Sequence, residues 1–204
     1  QGAEKMLIKA VTGREVPSGK LPSSIGALVQ NVATTANIAK IFETGEPLIE
    51  RIMTVSGRGI RQPGNWVIPF GTKLGDVIAA CGGFTEDAAE IVFGGPMMGQ
   101  SQASLDVPVL KATGGILVLS KDECKRQDIL PCIRCGKCID ACPVFLNPQL
   151  LGSLARVDRY EEMVDANLHD CMLCGCCSFV CPSNIPLSQL FAMSKIQLSR
   201  LKAA

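Results

Sequence analysis

Histidine is almost absent from this 204-residue sequence, His169 being the only one. A zinc hydrolase or a histidine-based proton relay needs at least a second imidazole, so both classes are excluded. Charge of one sign is lacking too. Twenty Lys plus Arg stand against nineteen Asp plus Glu, and no Lys/Arg-rich block interrupts the chain, which removes nucleic acid from the expected partners. Long hydrophobic runs are missing: purely apolar stretches are short, such as Ile116 to Leu119, whereas a membrane-crossing helix needs roughly 20 apolar residues. No transmembrane segment of the chain's own is expected. The opening Gln1-Gly2-Ala3-Glu4-Lys5 has neither an initiator Met nor the basic-then-apolar build of a signal peptide, and reads as the start of a truncated or processed piece.

Cysteine is what the sequence has in excess. There are eleven, an odd number, and eight fall into two tight groups near the C-terminus. Disulfides between residues two or three apart would constrain almost nothing, whereas thiolates at that spacing converge on one metal centre. A reducing, cytoplasmic compartment follows.

The first run is Cys132, Cys135, Cys138, Cys142 with Pro143; the second is Cys171, Cys174, Cys177, Cys181 with Pro182. Both obey CxxCxxCxxxCP. Two intervening residues let three thiolates point to one concave side of a turning loop, while the fourth, expected at a helix start, ligates the other cluster in two-cluster proteins. The expected ligand sets are therefore Cys132, Cys135, Cys138 and Cys181 for one [4Fe-4S] cluster, and Cys171, Cys174, Cys177 and Cys142 for the other. Structural zinc, the competing reading, leaves the third Cys and the following Pro of both runs unexplained. Cys176 breaks the two-residue spacing and is read as a non-ligand thiol. Cys81 and Cys124 are read as small core or surface residues, and His169 as either a tuning hydrogen-bond partner of a cluster or a polar surface residue.

Upstream, residues 3 to 11 predict a short amphipathic helix with Met6, Leu7, Ala10 and Val11 on one face and Gly13 as its stop. Ala27 to Val32 reads as a buried strand, and Thr35 to Phe42 as a helix ended by Gly45. From Leu48 the pattern is strand-like, with Ile52, Thr54 and Ser56 alternating, Trp66 to Phe70 β-prone and packed, Gly71 to Ala80 helical, and Glu90 to Phe93 and Ile116 to Leu119 as further strands. Gly94 to Gly99 reads as a plain turn or a loop that meets a partner or ligand. Past Lys121 the composition shifts to Cys-rich loops between helices. Asn147 and Pro148 cap a bridging helix with Leu150, Leu151, Leu154 and Val157 on its apolar face, and Pro186 opens a last helix carrying Leu187, Leu190, Phe191 and Ser194. The fold class is α+β.

Six stretches carry a resemblance: Gln1 to Lys5, Thr12-Gly13-Arg14-Glu15-Val16-Pro17, Gln30-Asn31-Val32-Ala33-Thr34, Gly94 to Gly99, and the two Cys runs. With them the whole chain resembles the C subunit of the Rnf electron transport complexes, ion-pumping ferredoxin:NAD oxidoreductases. The resemblance implies a partial Rossmann-like FMN and NADH domain over 1–46, an SLBB β-grasp module over 47–122, and a helical two-cluster ferredoxin domain over 123–204. It implies FMN and NAD(H) in the full-length protein, Glu4 near flavin and nicotinamide, and Asn31 and Thr34 contacting FMN from a strand-to-helix turn. Ordinary turn chemistry is the other reading of Asn31. The implied partners are the other subunits of a membrane redox complex, a ferredoxin-type subunit among them, and the implied place is peripheral, on the cytoplasmic face of the bacterial inner membrane. The cobalamin reductase of bacterial microcompartments shares the same layout. A ferredoxin-like electron wire without catalysis is the reading from a different class. No glycine-rich phosphate cradle is legible in these residues. The 204 residues by themselves are therefore expected to relay electrons rather than to oxidise NADH.

Overall fold

The structure, a computed structural model, describes residues 3–124 and 127–203. Gln1 and Gly2, two of the residues that carry the resemblance, lie outside the described residues. Helix α1 (Glu4–Thr12) stops as expected at Gly13, which takes φ 72° and donates its N–H to the Lys9 carbonyl at 3.0 Å. Its buried residue is Ile8, at 4% exposure, while Leu7 and Val11 are 40% and 75% exposed. The expected face is thus corrected by one residue, a turn of about 100° around the helix. Ala27 to Val32 is not a strand. Its residues alternate weakly between half-buried and exposed, but no other described segment pairs with them, and an unpaired strand leaves its backbone groups unsatisfied. Helix α2 (Val32–Thr44) begins at the end of that segment. Asn31 caps it: its side-chain oxygen accepts the Ala33 N–H at 3.0 Å, and its carbonyl accepts that of Thr35 at 3.0 Å. Gly45 ends the helix with φ 72°.

Two compact units divide the chain, Ala36–Gln127 and Gln1–Thr35 together with Asp128–Ala204, and α2 crosses the division. The first unit is built on β1 (Glu50–Ser56), where Met53 and Val55 are fully buried while Ile52, Thr54 and Ser56 form the exposed set. Strand β2 (Gly64–Pro69) pairs antiparallel with β1, then α3 (Leu74–Ala80) crosses over, followed by β3 (Ala88–Phe93), β4 (Gln100–Ser101) and β5 (Gly115–Ser120). The sheet order is β2-β1-β5-β3-β4, with β1 and β5 parallel at the centre and antiparallel pairs on both sides. That is a β-grasp arrangement. Leu74, Val77 and Ile78 of α3 are buried in one cluster with Met53, Val55, Ile68, Ile116 and Val118 of the sheet. Trp66 packs against this cluster as expected, its indole N–H buried without a partner among the described residues. Gly57 is forced by packing: at φ 111°, a Cβ there would lie 2.0 Å from the Val118 carbonyl oxygen. The Gly94 to Gly99 loop is the turn between β3 and β4, closed by the Gly99 N–H on the Gly95 carbonyl at 2.8 Å.

In the second unit the cysteines lie among α4 (Lys137–Asp140), α5 (Pro148–Ala155), α6 (Tyr160–Asp165), α7 (Cys176–Phe179) and α8 (Leu187–Ala203). Asn147 caps α5 by accepting the Leu150 N–H at 3.1 Å, with Pro148 at the first helical position. Of the apolar face expected on α5, Leu151 and Leu154 are buried, whereas Leu150 and Val157 are 42% and 62% exposed. On α8, Leu187, Phe191 and Ser194 are buried and Leu190 packs against the same core. The pairs α5 with α8 and α4 with α7 are in contact. The Ser18 hydroxyl donates to the Asp170 carboxylate, tying the N-terminal segment to this unit.

Candidate metal centres

The repeated Cys motif is a repeated backbone. Arg134 and Leu173, each just before the second Cys of its loop, both take φ 56°. Gly136 and Gly175, just after that Cys, take φ 78° and 80° and start the short helices α4 and α7. Three residues past the fourth Cys, Phe145 and Asn184 take φ 56° and 52°, and each donates its N–H back to the carbonyl of that Cys. Left-handed backbone is unfavourable for Leu, Arg and Phe, so its recurrence at matching positions marks an imposed loop shape. The shape turns amides inward: the Arg134 N–H donates to Cys132 Sγ at 3.4 Å, and the Leu146 N–H to Cys142 Sγ at 3.3 Å. Donors aimed at sulfur stabilise thiolate and cluster charge alike.

One cavity is lined by Cys132, Cys135, Cys138 and Cys181. A second is lined by Cys142, Cys171, Cys174 and Cys177. Each thus holds the first three Cys of one run with the fourth of the other. The packing of α4 on α7 accounts for this, because Cys142 and Cys181 lie just past the ends of those helices and reach the neighbouring loop's cavity. One expectation is corrected here. The fourth Cys follows a short helix that contains the third, and α5 and α8 begin only several residues later.

Crowded thiols resist ionisation. Burial first, then the neighbouring Cys171, pushes Cys177 up to about 11. Burial raises Cys138, with Cys181, Cys132 and Cys135 adding to it; burial raises Cys171, with Cys174 and Cys142 adding. Four sulfurs held this way become thiolates once a cation offsets their mutual repulsion. Among the described residues no three His, Cys, Asp or Glu side chains come close enough to share one ion. A single zinc would draw its thiolates to about 2.3 Å from one point. Sulfurs spread around a cavity wall suit a four-iron cluster, in which each thiolate takes its own iron.

Cys176 lines neither cavity, and its thiol is raised chiefly by a hydrogen bond with Cys174. Cys81 is buried in the β-grasp core and Cys124 is half-buried. The His169 side chain also lines neither cavity, while the Lys195 ammonium donates to the carbonyls of His169 and Cys171. Lys195 and the inward amides carry no signal in the sequence pattern and were missed there. Gly136 and Gly175 were detectable, since both runs read CxxCGxC. Glu4 stands exposed in the first turn of α1, and Asn31 and Thr34 stand together at the start of α2. Neither cysteine-lined cavity includes any of the three.

Comparison with known proteins agrees with this geometry. Residues 128–185 match the 4Fe-4S dicluster domain, 52–101 the SLBB domain and 1–40 the Nuo51 FMN-binding domain. The C subunit of the proton-translocating ferredoxin:NAD(+) oxidoreductase complex of Clostridium ljungdahlii is 50% identical over 162 residues, 79% of this chain and 35% of that protein. The chain is a homologue of these C subunits. That of the ion-translocating oxidoreductase complex of Rhodobacter capsulatus is 44% identical over 198 residues, 97% of this chain and 38% of that protein. The Na(+)-translocating counterpart of Acetobacterium woodii is 43% identical over 170 residues, 83% and 38% respectively. The chain therefore spans little more than a third of the length of these relatives. Among its described residues no helix is long and apolar enough to cross a membrane.

Proposed function

We propose that the chain is the electron-relaying part of the C subunit of an Rnf-type complex, carrying two [4Fe-4S] clusters between an NADH- and FMN-dependent site and the partner subunits of an ion-translocating assembly. Cys132, Cys135, Cys138 and Cys181 would hold one cluster, and Cys171, Cys174, Cys177 and Cys142 the other. The observation that carries the reading is the crossed grouping of the eight Cys around two cavities. Bound there, each cluster supplies one-electron transfer, at a potential the surrounding amides and charges adjust. The protein's own part is to hold eight thiolates, to aim amides at sulfur and to keep the second cavity dry behind Leu146, Leu151 and Phe191.

The functional division proposed is 1–46 as part of an FMN and NADH domain, 47–122 as the SLBB module and 123–204 as the cluster domain. Glu4, Asn31 and Thr34 would form one wall of the flavin site in the longer protein, and the protein would sit peripherally on the cytoplasmic face of the membrane. In support, 1–40 match an FMN-binding domain and the relatives are subunits of ferredoxin:NAD(+) oxidoreductase complexes. Flavin bridges hydride and single-electron chemistry, which suits an NADH input to iron–sulfur carriers. Anaerobic reconstitution should give about eight iron and eight sulfide per chain. Flavin titration with NADH-driven dye reduction should show weak flavin binding and no turnover by this chain, and turnover by the longer protein. Zinc in place of iron, or tight flavin binding with turnover by residues 1–204, would refute the reading.

A further inference from the structure

The two loops share a backbone but not a surface. At matching positions the first loop carries Arg134 and Lys137 where the second carries Leu173 and Cys176. Cys132 and Cys135 are exposed, whereas their counterparts Cys171 and Cys174 are half-buried. Ile133 is 69% exposed, and Ile129 and Leu130, just ahead of Cys132, are 57% and 52% exposed. Leu130 is fixed beside the first cavity, because its N–H donates at 2.9 Å to the carbonyl of Ser183, a residue of the cavity wall. Arg156, at the end of α5, is exposed and lines the same cavity. No ion pair holds Arg134, Lys137 or Arg156 among the described residues, and the acidic residues beside them are the exposed Asp128, next to Ile129, and Asp140, one turn beyond Lys137. Beside the second loop the cation is different in kind: Lys195 is half-buried and spends its donors on backbone carbonyls.

Resting on the cluster reading above, we propose that the mouth of the first cavity is the docking surface through which this chain exchanges electrons with an acidic, protein-borne one-electron carrier. An apolar centre of Ile129, Leu130 and Ile133 inside a cationic rim has the build of a transient protein interface. Unpaired cations steer an acidic partner and raise its association rate. The same surface exposes two of the Cys proposed to hold the first cluster, which brings the carrier to the edge of that centre. In the exchange one electron passes from reduced carrier to chain, so that the carrier is oxidised by one and the chain reduced by one. No bond forms and no proton moves. An anionic membrane is the less suitable occupant, since three cations fall short of the clusters of four to eight that read as lipid-binding, and lipid over this mouth would insulate it.

The test uses the cluster-loaded chain and, as probe, a reduced acidic two-[4Fe-4S] ferredoxin. Binding is read by calorimetry and electron exchange by stopped-flow absorbance, both against ionic strength. Reversal of Arg134, Lys137 and Arg156 to Glu should slow exchange about tenfold or more at low salt, with the difference shrinking as salt screens the charges. The comparison is made between preparations loaded to the same iron content, about eight per chain, and Lys121→Glu, outside both cluster cavities, should have no effect. If the triple reversal impairs loading, the corresponding Gln variants should show the same ordering with a smaller change. Unchanged ferredoxin binding and exchange in loaded variants would overturn the proposal. So would loss of binding to phosphatidylserine vesicles by these variants with ferredoxin exchange intact. Failure of the parent chain to hold about eight iron would instead overturn the cluster reading.

Discussion

Arg134 and Leu173 occupy one backbone position in two loops 39 residues apart, each at φ 56° and each followed by a Cys and a left-handed glycine. Their side chains share nothing, so the position is defined by its amide. The Arg134 N–H meets Cys132 Sγ, and the Leu173 N–H lowers the Cys171 thiol against the larger effect of burial. Proline at this place removes the donor and forbids the positive φ. Arg134→Pro should lose the first centre and keep the second, leaving about four of eight iron, whereas Arg134→Gly should load fully. Iron analysis with electron paramagnetic resonance separates the two outcomes.

Cys142 belongs by sequence to the first run but lines the cavity of the second. Cys142→Ala should therefore perturb the centre held by Cys171, Cys174 and Cys177 and leave the signal of the other intact. Cys181→Ala should do the converse. Spectra showing the uncrossed pattern would contradict the assignment.

Cys177 is 8% exposed and faces the second cavity, while its neighbour Cys176 is half-buried and does not. Cys176→Ser should assemble both clusters. Cys177→Ser should lose about half of the iron, and a reversal of the two phenotypes would place the register one residue out.

Glu123 accepts the Ser120 N–H at 2.9 Å and its hydroxyl at 3.0 Å, with Arg58 nearby. The backbone hydrogen bond, then the hydroxyl, holds the carboxyl below its ordinary 4.5. A carboxylate depressed in the folded state adds stability that is present above the unfolded pKa and lost as pH falls through the folded one. The β-grasp unit should weaken on acidification below about pH 4.5, and Glu123→Gln should flatten that part of the curve. Thermal unfolding between about pH 3 and pH 6 is the measurement.

Gly57→Ala would place a methyl against the Val118 carbonyl, where backbone cannot move aside as a side-chain end can. Combined steric and φ strain should cost about 3 kcal/mol or more. The melting temperature of the β-grasp unit should fall, with iron content unchanged.

The grouping of the eight Cys, the five longer helices and every strand of the β-grasp module except β4 were legible in the residues alone. Those signals are local: Cys spacing, the Asn147-Pro148 cap, Gly13 and Gly45 as stops, and period-2 alternation each act within a few residues. The crossed grouping of the fourth Cys was expected from the motif, and the packing of α4 on α7 across 39 residues of chain is the physical means that brings it about. Packing settled that Ile8 rather than Leu7 is buried, that Ile52, Thr54 and Ser56 face outward, and that Ala27 to Val32 stays unpaired. A strand exists only with a neighbour to complete its hydrogen bonds, and a helix buries whichever face another element covers.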